Sequence, residues 1–268
     1  MKANDNNDKF KLVGVIHLPP LPGAVNYREL DIRKIGQIAA NDARTLVKSG
    51  FTHVMIQDGN DIPQATKANL ATIASLSAIG IKVREAIDQP LGVIVGHNDG
   101  PASVAIAKAI GADFVRVKVL VGVASGPNGW IEGCAYEVGA MKRLLESDVE
   151  IWADSIEATS KPFVEDKVWA TKQALSFGGA TRIIITNDLG AEFALDEIDL
   201  VKSKIEKKVD YIVGGRVNLE NISTVASRAN GAIIGSAISS KQFTTSFIDA
   251  KATESFGAAI FNMSSLPR

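Results

Sequence analysis

The sequence predicts an α/β fold, a closed (β/α)8 TIM barrel. Three observations carry that reading. Short runs rich in Val, Ile and Phe recur along the whole chain. Most are continuously apolar rather than alternating, which is how strands buried on both faces of a parallel sheet read. Helix-like stretches separate them, and eight such strand–helix units fill the 268 residues, the length of one barrel.

The first strand is expected over residues 12–18 and the first helix over 31–48. In that helix Ile35, Ile38, Ala39, Ala43, Leu46 and Val47 fall at three- and four-residue spacing, and Gly50 supplies the stop. The second strand, 53–57, leads to a helical region in two pieces, 69–79 and 83–87. The third pair is 91–96 and 102–110, ended by Gly111. The fourth strand, 114–120, runs through a long Gly- and Ser-rich loop, 121–130, into a helix at 131–145. A loop of that kind at a strand's C-terminal end is either a lid or an ordinary solvated connection. The remaining pairs are 150–154 with 162–177, 182–186 with 195–207, 211–213 with 219–229, and 232–234 with 245–261. A doubly wound open sheet would carry a glycine fingerprint after the first strand. Here that strand runs into His17-Leu18-Pro19-Pro20-Leu21-Pro22-Gly23, a stiff polyproline-like loop. No composition break divides the chain. Residues 1–10 are expected to be a frayed, Asn/Asp-rich terminus and 11–268 one barrel domain. The last helix, with Phe247, Phe256 and Phe261, and the terminal residues 266–268 would close the barrel or pack on a partner.

Composition excludes several classes. Lys plus Arg number 29 and Asp plus Glu 30, so no basic excess points to nucleic acid. The one cysteine, Cys134, leaves no disulfide framework or Cys-based zinc site, and fits a reducing compartment as a small structural residue. No run approaches a membrane span, and the polar N-terminus has no apolar signal core. A cytoplasmic protein is expected. Homo-oligomers are common for this fold, and one is expected here, although no interface is legible.

Barrel active sites lie at the C-terminal ends of the strands. His17 stands there after Val13-Gly14-Val15-Ile16, placed as a general acid/base or as a satisfied core histidine. Arg116 and Lys118 alternate with valines, so period two puts both cations on one face. They could bind an anionic substrate, pair with Asp154 or Asp99, or let Lys118 form a Schiff base. His17, Asp154 and Lys118 are the candidate catalytic residues. Asp58, Asn60, Asn98, Asp99, Arg116, Glu157 and Asn187 are candidate substrate ligands at other strand ends, where His97, Gln57 and Asp188 also stand. Helix caps and ordinary loop chemistry are the alternative for many of them. Asp58, Asp99, Asp154 and Glu157 have the oxygens a Mg2+ ion takes. Their spacing is not compact, so no metal ligand is assigned and no cofactor is fixed. After the last two strands come Gly214-Gly215-Arg216 and Gly235-Ser236. Glycines there let backbone N–H groups approach phosphate oxygens, Arg216 could add a bidentate contact, and the alternative is turn geometry alone.

The motif from Gly14 to Gly23, followed by Pro90-Leu91-Gly92-Val93, Asn98-Asp99, the run from Gly111 to Val117, Gly122, Ala153-Asp154, Asn221 and the run from Asn230 to Gly235, resembles the BtpA/SgcQ family over residues 11–245. The resemblance implies a ribulose-phosphate-binding type of TIM barrel. One branch of the family is named for photosystem I biogenesis, and another belongs to a gene region thought to handle sugars. The chain departs from the family pattern at Gln57-Asp58-Gly59-Asn60, at Ser155-Ile156-Glu157-Ala158, at Asn187-Asp188 and at Gly215-Arg216, all strand ends. The expectation is an enzyme of a small phosphorylated, sugar-phosphate-like metabolite, an isomerase, epimerase or aldol-type lyase. The alternative is a non-catalytic assembly or stability factor on the same scaffold.

Overall fold

A computed structural model describes residues 10–29, 31–240 and 245–264. The barrel strands are β1 (Lys11–His17), β2 (His53–Gln57), β3 (Leu91–Ile94), β4 (Phe114–Val117), β5 (Glu150–Asp154), β6 (Arg182–Ile185), β7 (Asp210–Val213) and β8 (Gly231–Ile234). Each pairs in parallel with its neighbours, and β1 pairs with β8 to close the barrel. The helices are α1 (Ile32–Lys48), α2 (Leu70–Arg84), α3 (Gly100–Ile110), α4 (Ala135–Leu144), α5 (Lys167–Ser176), α6 (Ala191–Lys204), α7 (Ile222–Arg228) and α8 (Ala250–Ser264).

Side-chain alternation explains the strands' apolar character. Leu12, Ile16, Val54, Ile56, Val93, Val115, Ile183 and Val213 point outward and pack with the helices in one large core. Val13, Val15, Met55, Ile94, Phe114, Trp152, Ile184, Ile212 and Ile233 point inward and form a second core that fills the barrel. Phe114 and Trp152 stack at 4.0 Å between ring centres. A Cβ on Gly92 would meet the Phe114 ring at 2.2 Å, so glycine there makes room for the stack. Below it lies an ionic floor: Lys11 pairs with Asp210 at 2.9 Å, and Arg182 bridges Asp210 and Glu150. Within the barrel, the filled interior leaves the C-terminal mouth of the strands open to a ligand.

Several boundaries differ from expectation. α2 is one helix through Gly80, because a Cβ there would meet Ile110 Cδ1 at 2.6 Å and glycine lets α2 seat closely on α3. The stretch 121–130 is not an irregular loop. Val123–Gly126 pairs antiparallel with Gly129–Glu132, and Lys161–Pro162 adds a third strand on the other edge. Ile131 thus belongs to this sheet, packed with Val119 and Ala124, and α4 starts later than expected. α5 likewise starts late, at the Asp166 cap, and α8 starts at Ala250. Phe247 and Phe256 are buried, whereas Phe261 is 73% exposed. The expected frayed N-terminus falls, in its residues 1–9, outside the described residues, as do residues 266–268. Among the described residues no helix is long and apolar enough to cross a membrane.

Candidate functional site

A cavity of about 220 Å3 opens at the mouth and is lined by Val15, His17, Gln57, Arg116, the run Gly214-Gly215-Arg216-Val217, Ile233, Gly235 and Ser236. The same alternation that fills the barrel builds it. His17 is two residues beyond Val15, Arg116 two beyond Phe114, Gly214 two beyond Ile212 and Gly235 two beyond Ile233. The mouth is therefore the polar top layer of the inward-facing positions.

The two glycine loops do different work. The Gly214 N–H donates to the Ile185 carbonyl at 2.9 Å, so it is not a phosphate donor as the sequence suggested. A Cβ at Gly214 would lie 2.1 Å from Thr186 Oγ1, and the glycine is there for that close approach. Among the described residues, no carbonyl takes the N–H groups of Gly215, Arg216, Gly235 or Ser236. Two such donors come from each loop. Arg216 adopts φ 61°, a left-handed conformation costly for a residue with a Cβ. Asn221 holds it there, its Nδ2 donating to the Arg216 carbonyl at 2.9 Å. An exposed arginine in this conformation lines the cavity, and such outliers cluster at functional sites.

His17 sits between Gly59 and Gly235, where Cβ atoms would come within 2.8 and 2.9 Å of its ring. Its Nδ1 is 3.2 Å from Ser239 Oγ, and that hydroxyl donates to the Gly235 carbonyl at 3.1 Å. With its proton committed to the carbonyl, the hydroxyl accepts from His17 Nδ1–H, which leaves Nε2 as the basic lone pair. Burial, then the charges of Arg116 and Lys118, lower the pKa of His17 and keep the ring neutral near pH 7. Arg116 grips Asp154 through two bonds, Nε to Oδ1 at 3.2 Å and Nη2 to Oδ2 at 3.0 Å. Burial raises the Asp154 carboxyl to about 6, with Arg116 opposing the rise. Asp154 thus supports Arg116 and does not line the cavity.

Lys118, two residues beyond Arg116 on the fourth strand's path, stands together with Glu157 and His97, outside the residues that line the cavity. Glu157 is 3.9 Å from both Lys118 Nζ and His97 Nε2, and accepts from the hydroxyls of Thr159 and Ser160. Asp58 lies near them. Both its oxygens take the Gly96 N–H, at 3.0 and 2.9 Å, and burial raises its carboxyl to about 6.

Four expected ligands are engaged elsewhere. Asp99 caps α3, accepting from Ala102 N at 3.1 Å, and also accepts from Ala68 N at 3.0 Å. Asn98 staples Val119 and Glu132 backbone. Asn60 donates to the Leu18 carbonyl at 2.7 Å, and Asn187 bonds Leu189 N and Glu197. Each satisfies buried or turn backbone groups, so none reaches the cavity. Asp58, Asp99, Asp154 and Glu157 do not converge either: among the described residues no three His, Cys, Asp or Glu side chains are grouped to hold a metal ion.

Two contributors were not singled out from sequence. Thr186 follows Ile184 on the inward face, and its buried Oγ1 has no hydrogen-bond partner among the described residues. Strand alternation carried that signal. Ser239 is brought to His17 by the turn after β8, which no local pattern announces.

Relatives place the chain in a lineage. An uncharacterized protein of Methanocaldococcus jannaschii is 35% identical over 85% of this chain and 86% of its own length. The photosystem I biogenesis protein BtpA of Synechocystis is 28% identical over 85% of this chain and 79% of its own. Among solved structures, a monomeric form of the phosphoribosylanthranilate isomerase of Thermotoga maritima superposes with a TM-score of 0.55 at 12% identity, covering 96% of this chain and 100% of that one, a likeness of fold. The family model described as the BtpA family matches residues 8–260, and the chain belongs to that family.

Proposed function

We propose that the protein is an enzyme of a small phosphorylated carbonyl metabolite, which it binds by the phosphate and converts by proton transfer beside the carbonyl. The observation that carries this reading is the pair of loops after β7 and β8. They set on one cavity Arg216 and four backbone N–H groups that no carbonyl takes among the described residues, with a neutral histidine packed against Gly235. Backbone donors in this arrangement suit an anion, and arginine adds a charge-assisted fork. Through Nε2, His17 would take a proton from the carbon next to the carbonyl. Arg116, with the charge of Lys118 nearby, would offset the negative charge that develops on the oxygen. The chemistry is that of an isomerase, an epimerase or an aldol-type lyase. The fold shared with an isomerase named for a phosphoribosyl compound supports the phosphate reading.

A panel of aldose and ketose phosphates, assayed with the wild type and His17→Asn, tests it. Turnover of one member is expected, falling at least 100-fold in the variant while phosphate binding persists. Equal turnover by the variant would remove His17 from the chemistry. No turnover across the panel would favour the second reading, a non-catalytic assembly factor, whose support is the name of the Synechocystis relative.

A further inference from the structure

The proposal above uses Lys118 only as a positive charge, yet its surroundings suit more. The side chain is 12% exposed, and its ammonium is 3.9 Å from Glu157 Oε1 with no other ion-pair partner among the described residues. A structural pair closes to about 2.8 Å. Arg116 does close on its carboxylate, and Lys118 does not. Glu157 is not free to swing away, because the Thr159 and Ser160 hydroxyls hold its two oxygens. His97 stands on its other side, with Nε2 buried and without a hydrogen-bond partner among the described residues. Lys118 is also electrostatically central. Glu157, Arg116, Asp154 and Asp58 all act on it, and it acts on His17 and His97. Burial is the largest influence and lowers its pKa, which increases the fraction of neutral amine.

We propose that Lys118 is the covalent centre of the site, its amine forming a Schiff base with the carbonyl carbon of a phosphorylated ketone or aldehyde while Glu157 moves the proton. The Nζ lone pair forms the C–N bond as the carbonyl π pair moves onto oxygen. Glu157 carries one amine proton to that oxygen, a second proton comes from solvent, and the oxygen leaves as water. The nitrogen lone pair then forms the C=N bond of a protonated iminium. When His17 Nε2 takes the neighbouring C–H proton, the bonding pair flows into the iminium and gives an enamine. The orientation of the substrate rests on the phosphate reading above; the nucleophile does not.

Reductive trapping tests the idea. The wild type is incubated separately with dihydroxyacetone phosphate, dihydroxyacetone, pyruvate and glyoxylate, then treated with borohydride. Borohydride delivers hydride to the iminium carbon and leaves a stable secondary amine. Intact mass and peptide mapping locate the adduct, with Lys118→Arg as control and its melting curve as the check on folding. The expected result is one adduct per chain on Lys118, lost in the variant, formed at least tenfold more with dihydroxyacetone phosphate than with dihydroxyacetone, and suppressed by inorganic phosphate. No adduct on Lys118 with any of the four, or adducts spread over surface lysines, would overturn the proposal, even if phosphate still binds its loops. An adduct on Lys118 that is indifferent to the phosphoryl group and to added phosphate would uphold the nucleophile and sink the phosphate cradle instead.

Discussion

Arg216 shows how a single residue reports a site. Its left-handed backbone would suit glycine, so an arginine there is held at a cost in stability. Arg216→Gly is expected to leave stability unchanged or raise it by up to about 1 kcal/mol, and to weaken phosphate binding roughly tenfold. Urea unfolding and a phosphate titration measure the two effects; a loss of stability with binding intact would mean the arginine is structural. At this scale the sequence was informative wherever chemistry and strand position coincided. His17, Arg116, Gly215, Arg216, Gly235 and Ser236 are all legible as strand-end residues, and all line one cavity. It was ambiguous for Asn60, Asn98, Asp99 and Asn187. A short polar side chain satisfies backbone as readily as it binds substrate, and only the partners decide between the two.

At the scale of elements, the connections after β2, β3 and β4 are tied together. The hairpin residue Asn128 donates to the Gln64 carbonyl, Gln64 reaches Asp58, and Asp99 joins the start of α3 to Ala68. Asp99→Ala should therefore cost about 2 kcal/mol, the loss of a cap plus a stranded N–H, with the Michaelis constant unchanged. Thermal unfolding paired with kinetics on the substrate found in the screen would show it. Intact stability with weakened substrate binding would restore Asp99 as a ligand. Strand cores were the most legible elements, with β2 and β5 matching residue for residue, because burial on both faces leaves few alternatives to apolar sequence. The hairpin over 123–132 was not legible. Its glycines and exposed residues resemble a solvated loop, and its pairing with Lys161–Pro162 links segments about 40 residues apart.

For the whole molecule, the barrel separates a sealed floor from an open mouth, and the floor contributes its own part of the response to acid. His53 lies against Phe114 and Trp152 and near Lys11 and Arg182; burial first, then those two charges, lower its pKa to about 3. As the pH falls below 6.5 the unfolded chain takes up this proton and the folded one does not. Stability is thus present above pH 6.5 and is lost progressively down to about pH 3. His53 alone should remove about 2 kcal/mol between pH 7 and pH 5. His53→Gln should flatten that acid limb by a similar amount in urea titrations at the two pH values. An unchanged slope would show that the ring is not held neutral.

The central claim is that loops after the seventh and eighth strands form an anion cradle beside His17. Titrating the 15N-labelled protein with inorganic phosphate, and following the amide resonances of Gly215, Arg216, Gly235 and Ser236, tests it most directly. Saturable shifts of these four with one dissociation constant, absent or much weaker for sodium chloride at equal ionic strength, are the predicted result. Resonances that stay still while others move, or no saturable response at all, would contradict the account.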